Sequence, residues 1–100
     1  MIIMINVGMY YKVKAGHEKE FESTFEKVLT TLKEAEIGFK NGRLYRDVKT
    51  PSEYLIYTEW DSIERFRAFM QSDDYKSTVE HGRSIIEGRP KHIILTPSSE

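Results

Sequence analysis

The chain has 100 residues, 39% hydrophobic and 31% charged, with fifteen Lys and Arg against sixteen Asp and Glu for a formal net charge of -1. That length supports one core, burying roughly two-thirds of the unfolded surface, and the scattered basic residues exclude a nucleic-acid partner, which needs concentrated positive charge. The absence of cysteine excludes disulfides, thiolate nucleophiles, Cys-ligated zinc and iron–sulfur clusters.

Met1 to Val13 is apolar but interrupted by Asn6, Gly8 and Lys12, too polar for a membrane span and lacking the small-residue cleavage site of a signal peptide. No membrane partner is expected, and the expected location is cytoplasmic. Within this stretch Ile2 to Val13 reads as a long strand. Ile3, Ile5, Val7, Met9, Tyr11 and Val13 share one face; Ile2, Met4, Asn6, Gly8, Tyr10 and Lys12 share the other.

Ala15-Gly16 breaks the strand, and the period then changes. Phe21, Phe25, Val28, Leu29 and Leu32 recur at the spacing of one helical face, which predicts a helix from about His17 to Ala35. Glu18, Glu20 and Glu22 near its start and Lys33 near its end suit the helix dipole. Gly38-Phe39 opens a second strand to about Asp47, with Asn41-Gly42 read as a bulge or kink. Thr50-Pro51-Ser52 turns into a third strand, Glu53 to Trp60, forming an antiparallel hairpin.

Asp61 followed three residues later by Glu64 has the form of a capping box for a short amphipathic helix bearing Ile63, Phe66, Phe69 and Met70. Ser72 caps a further turn. Tyr75, Val79 and Ile86 continue along one side, Gly82 weakens the segment, and Gly88 and Pro90 end it. Lys91 to Thr96 is then a fourth strand, closed by Pro97. The expected organisation is one domain over residues 1–97 with a tail at 98–100.

The order β-α-β-β-α-β is that of a ferredoxin-like α+β fold, with two helices on one face of a four-stranded antiparallel sheet. Whichever parity faces the helices, Ile or Met lies on both sides of the first strand. Tyr54 and Ile56 oppose Leu55 and Tyr57 on the third, and Ile93 and Leu95 oppose Ile94 on the fourth. Such a second face is larger than the apolar patch soluble monomers usually expose, so a homodimer through the sheet face is expected.

Several phrases carry a family resemblance. Val13-Lys14-Ala15-Gly16-His17-Glu18-Lys19-Glu20-Phe21, Gly38-Phe39, Tyr54 through Phe66, and Ser72-Asp73-Asp74-Tyr75-Lys76 are similar to the antibiotic biosynthesis monooxygenase domain of the dimeric α+β barrel superfamily, over nearly the whole chain. The resemblance implies a dimeric barrel. It also implies either a cofactor-independent monooxygenase acting on a small aromatic, phenolic or quinol compound in an apolar pocket, or a non-catalytic small-ligand-binding or stress-associated dimer of the same fold. The haem-degrading branch resembled here has an asparagine, a tryptophan and an iron-ligating histidine at positions that fall on Met9, Phe69 and Val79. Valine cannot ligate iron, so haem degradation is not expected, nor any cofactor.

Met9, Phe66, Phe69 and Val79 either line a ligand pocket between the second helix and the sheet, where the resemblance implies ligands are held, or close that space as plain core. An oxygenase of this type must deprotonate an electron-rich phenol, so it needs a base and hydrogen-bond donors in an apolar setting. The polar candidates are His81, Tyr10, Tyr57, Arg46 and Asn6. His17, His81 and His92 show no ligand spacing, so no metal site is expected. Trp60 reads as core at the junction of strand and helix.

Overall fold

A computed structural model describes residues 4–98. Its elements run β1 (Ile5–Val13), α1 (Glu18–Glu34), β2 (Phe39–Arg46), β3 (Glu53–Trp60), α2 (Ile63–Met70), α3 (Asp73–Gly82) and β4 (Ile86–Leu95). The four strands form one antiparallel sheet in the order β2-β3-β1-β4. This is the ferredoxin-like α+β fold expected, with the second helical segment divided into two. The expected start of the first strand at Ile2 and Ile3, and Ser99 and Glu100 of the tail, lie outside the described residues.

Register settles which parity meets the helices. Val7 pairs with Thr58, Met9 with Ile56 and Tyr11 with Tyr54, and the buried members of these pairs put the odd positions of β1 and the even positions of β3 against the helices. One core cluster gathers Val7, Met9, Leu32, Trp60 and Phe66; a second gathers Val13, Phe21, Tyr54 and Ile85. Tyr11 and Ile56 pack against both.

Trp60, only 1% exposed, organises the first cluster, as its place at the strand–helix junction predicts. Its ring lies 5.5 Å from Phe39, 5.5 Å from Phe66 and 5.3 Å from Phe69. The indole N–H donates to Thr58 Oγ1 at 3.0 Å, and that hydroxyl donates to Val7 O at 3.3 Å. The buried Trp60 and Thr58 side chains are thereby satisfied, as burial requires.

The kink read at Asn41-Gly42 is a β-bulge. Phe39 pairs with Trp60 and Asn41 with Glu59, so Lys40 is an extra residue on β2. The bulge shifts parity so that Phe39 and Leu44 both face the helices. Gly42 completes it, because a Cβ there would meet Phe39 Cζ at 2.8 Å.

Two expectations at the helices are corrected. The cap of α2 is Ser62, whose hydroxyl accepts from Arg65 N at 3.2 Å, not the Asp61 and Glu64 capping box; Asp61 N instead donates to Gly38 O at 2.9 Å. The segment after Ser72 does not run helically to Gly88. Ser72 does cap α3, accepting from Tyr75 N at 3.2 Å, but α3 ends at Gly82 and β4 begins at Ile86. Ile85 and Ile86 are β-branched and favour the pleated surface, so Gly88 and Pro90 lie within an edge strand, where irregular pairing tolerates them.

The outer face carries Asn6, Gly8, Tyr10 and Lys12 from β1. Tyr10 pairs with Leu55, Tyr45 pairs with Leu55, Gly8 with Ile93 and Asn6 with Leu95. Tyr10, Tyr45 and Leu95 are 45%, 47% and 52% exposed. This is the apolar second face that composition led us to expect. Among the described residues, no helix is long and apolar enough to cross a membrane.

Candidate functional site

The helices do not seal the helix-facing side of the sheet. An open cleft of about 1290 Å³ lies between the sheet and the three helices. Its floor includes Met9, Tyr11, Ile56 and His92; α1 contributes Phe25, Val28 and Leu32; Phe69 of α2 and Tyr75 and Val79 of α3 form the far wall. Space of this size and apolar character suits a small organic ligand. It persists because α3 buries little of itself: Val79 stays 39% exposed and Gly82 is its one buried residue.

Among the polar side chains on this lining, Tyr11, Tyr75 and His92 adjoin its apolar part. Tyr11 sits on the inward parity of β1, beside Phe21 at 5.4 Å, with its hydroxyl 3.9 Å from Met9 Sδ. Burial, reinforced by Tyr75, pushes the Tyr11 hydroxyl well above the usual tyrosine range. Tyr75 enters from α3, held beside Phe69 at 5.1 Å, and burial raises its pKa too. His92 is opposite Met9 across the β1–β4 pairing, which gives it the inward parity at an exposed part of the cleft lining, and partial burial there lowers its pKa. At neutral pH the cleft therefore presents two protonated hydroxyls and an uncharged imidazole. Desolvation disfavours the charged form of each.

Met9, Phe69 and Val79, expected to line a pocket, are all on the cleft surface. Phe66 is not: it is 1% exposed and packs against Trp60 behind the wall. The five polar candidates do not converge on this cleft: Asn6 and Tyr57 meet each other elsewhere, and Tyr10 and Arg46 share a second, smaller depression. Asn6, Tyr10 and Tyr57 occupy the outer face, where Tyr57 O–H donates to Asn6 Oδ1 at 2.9 Å. Burial, then the neighbouring Glu59, raises the Tyr57 pKa. Arg46 is spent on a clamp between β2, β3 and α1. Its guanidinium lies 3.3 Å from Glu22 Oε2, an oxygen that also accepts from the buried Tyr54 hydroxyl. His81 reaches the cleft rim, but its side chain is 64% exposed and lies 3.9 Å from Glu20.

Tyr11, Tyr75 and His92 were not among the candidates read from sequence. Tyr11 had a signal, since it falls on the same strand face as Val7 and Met9. His92 had none, because its neighbour across the sheet depends on the register of β4. No group of three or more His, Asp or Glu side chains comes together as metal ligands among the described residues.

Comparison with known proteins bears on both fold and family. The chain is 34% identical over 89 residues to proteins named "putative heme-binding protein" in Haloquadratum walsbyi and Haloarcula marismortui, covering 89% of this chain but 17% and 13% of theirs. It thus spans less than a fifth of those relatives. Among solved structures it is similar to a "putative antibiotic biosynthesis monooxygenase" from Caulobacter crescentus, with a TM-score of 0.88 at 21% identity, covering 98% of this chain and 92% of the other. It is also similar to SnoaB, a cofactor-independent oxygenase from Streptomyces nogalater, with a TM-score of 0.83 at 18% identity, covering 97% and 95%. At these identities the structural likeness establishes the fold. The model of the family described as antibiotic biosynthesis monooxygenase matches residues 4–81, and the chain belongs to that family.

Proposed function

We propose that the protein is a cofactor-independent monooxygenase that oxidises a small phenol or quinol in the cleft between sheet and helices. The observation that carries this reading is the cleft itself: an open, apolar space into which Tyr11, Tyr75 and His92 bring two hydroxyl donors and a neutral base. The name of SnoaB, a cofactor-independent oxygenase, points to the same chemistry.

In this mechanism the aromatic body lies against Met9, Phe69 and Val79. The imidazole of His92 accepts the phenolic proton, and the hydroxyls of Tyr11 and Tyr75 donate to the phenolate as it forms. The bound aromatic body covers the apolar part of the cleft and displaces water there, which strengthens those hydrogen bonds and protects reactive intermediates. The phenolate reduces dioxygen directly. A phenol with a free para position plus O2 gives a para-quinone plus H2O: one oxygen atom enters the ring carbon, the other leaves as water, and the substrate supplies all four electrons.

Oxygen uptake with a panel of naphthols and quinols tests this. Uptake should exceed the autoxidation blank, and His92→Gln should lower it by about 10²- to 10⁴-fold, the usual contribution of a positioned base. The rate should fall toward acid with an apparent pKa below the ordinary histidine value of about 6.5, because desolvation makes His92 harder to protonate; His92→Gln should abolish that limb. Uptake no greater than the blank, with the aromatics still bound, would leave the non-catalytic ligand-binding dimer as the function.

Haem enters through the name of the haloarchaeal relatives, which this chain matches over only a small part of their length. The residues do not fit a haem ligated from the helix. The matching position is Val79, and His81 is directed at Glu20 on the rim. Hemin added to the protein should keep the Soret band of the free compound; a ligated band that is lost in His81→Ala or His92→Ala would reverse this. The reading includes a homodimer through the outer sheet face and a cytoplasmic location, with residues 1–97 forming the single domain.

A further inference from the structure

The chain as a whole carries a formal net charge of -1, yet the lining of the cleft is basic. Its charged residues are Lys27, Arg65, Arg83 and Arg89 against a single acid, Asp74. Among the described residues Lys27, Arg65 and Arg89 have no carboxylate within ion-pair distance, and Arg83 makes only a surface contact with Glu80 at 3.5 Å, both side chains 73% exposed. Exposed pairs of that kind hold a side chain weakly.

Arg89 has a placement of its own. Tyr10 pairs with Lys91 and Lys12 with Glu87, so the single residue Tyr11 on β1 is opposed by Gly88, Arg89 and Pro90 on β4. The excess is taken up as an irregularity, with Gly88 at φ +68° and Pro90 on an edge strand where its missing N–H costs no ladder bond. Bulges of this kind re-aim side chains at sheet edges and beside sites. This one leaves Arg89, opposite Tyr11 and three residues before His92, on the lining of the cleft and also on that of a smaller outer depression beside Tyr10 and Lys91.

Resting on the reading of the cleft as the ligand site, we infer that its ligand is an aromatic acid. An apolar ring system lies against Met9, Phe69 and Val79, and a carboxylate is held by Arg89, with Arg83 on the same lining adding positive charge. The planar guanidinium matches a carboxylate with two parallel hydrogen bonds, which a lysine would not. The apolar and the basic parts of the lining together select amphiphilic acids over neutral aromatics of the same size.

Two fluorescent probes with the same ring system test this: 9-anthracenecarboxylate and 9-anthracenemethanol. The acid should bind about tenfold more tightly at low salt, the scale of one charge-assisted hydrogen-bonded pair, and the advantage should shrink as salt is raised. Arg89→Gln should remove most of that advantage and leave the alcohol's affinity within about twofold, with Arg89→Lys between the two. Val79→Trp, which fills the cleft, should weaken both probes. Equal affinity for acid and alcohol, or an Arg89→Gln effect that is equal on both, overturns the inference while the cleft survives as a binding site. Probes that do not bind, or that are indifferent to Val79→Trp, overturn the cleft reading itself.

Discussion

Gly16 and Gly38 have nearly the same backbone, φ +90° and +89°, but different surroundings. A Cβ on Gly16 would meet nothing within 4 Å, whereas one on Gly38 would lie 2.5 Å from Asp61 Oδ1 and 2.9 Å from Arg65 Cβ. Gly16→Ala should therefore cost about 1 kcal/mol, the conformational penalty alone. Gly38→Ala should cost about 2 kcal/mol or more, since Arg65 Cβ is anchored on α2 and cannot easily yield; urea midpoints of the two variants would measure the difference. His92 gives a residue-scale pH dependence. Its folded pKa is lowered, so protons bind the unfolded chain first. Its contribution to stability is fully present above about pH 6.5 and is lost as pH falls below that toward the folded value. His92→Asn should flatten that part of the stability profile.

At the level of elements, the two caps are the sharpest test of how the helices begin. Ser62→Ala should cost about 1 kcal/mol by freeing Arg65 N, while Glu64→Gln should cost a few tenths at most, because Glu64 takes no part in a capping box; thermal melts of both would decide. The hairpin of β2 and β3 and the helix α1 were legible because their signals do not compete: Thr50-Pro51-Ser52 is a turn, and Phe21, Phe25 and Leu32 repeat at a helical period. The passage from α3 to β4 was not legible. Tyr75, Val79 and Ile86 satisfy helical spacing, and Gly88 and Pro90 look like a helix end, yet the β-branched pair Ile85 and Ile86 starts a strand earlier. That one misplacement hid two residues of the proposed site. With β4 begun at Lys91, His92 was only a strand residue beside a lysine, and the irregular segment that places Arg89 did not exist. Met9, Phe69 and Val79 were found through the family resemblance, whereas choosing Tyr11 over Tyr10 required the parity that only packing settles.

For the molecule as a whole, the two faces of the sheet divide the work. The inward face is core at Trp60 and cleft at Met9, Tyr11 and His92. The outward face is a belt of Tyr10, Tyr45, Leu55, Tyr57 and Ile93 that α1, α2 and α3 leave uncovered, with the Leu55 side chain lying over Gly8. A sheet-to-sheet dimer would bury that belt. Leu55→Lys should shift the light-scattering mass from dimer toward monomer, with the circular dichroism of the fold retained; a wild-type protein already monomeric at micromolar concentration would contradict the dimer. It would leave the cleft intact, because every residue assigned to the cleft comes from one chain.

The proposed oxygenase transfers an atom of dioxygen itself to an aromatic bound in the cleft. Turnover of a naphthol under ¹⁸O₂, followed by mass spectrometry of the quinone, tests it most directly. One labelled oxygen atom per quinone is predicted, formed at a rate that collapses in His92→Gln. Unlabelled quinone under conditions that prevent exchange with water, or labelled quinone formed equally fast without the protein or by His92→Gln, would contradict it.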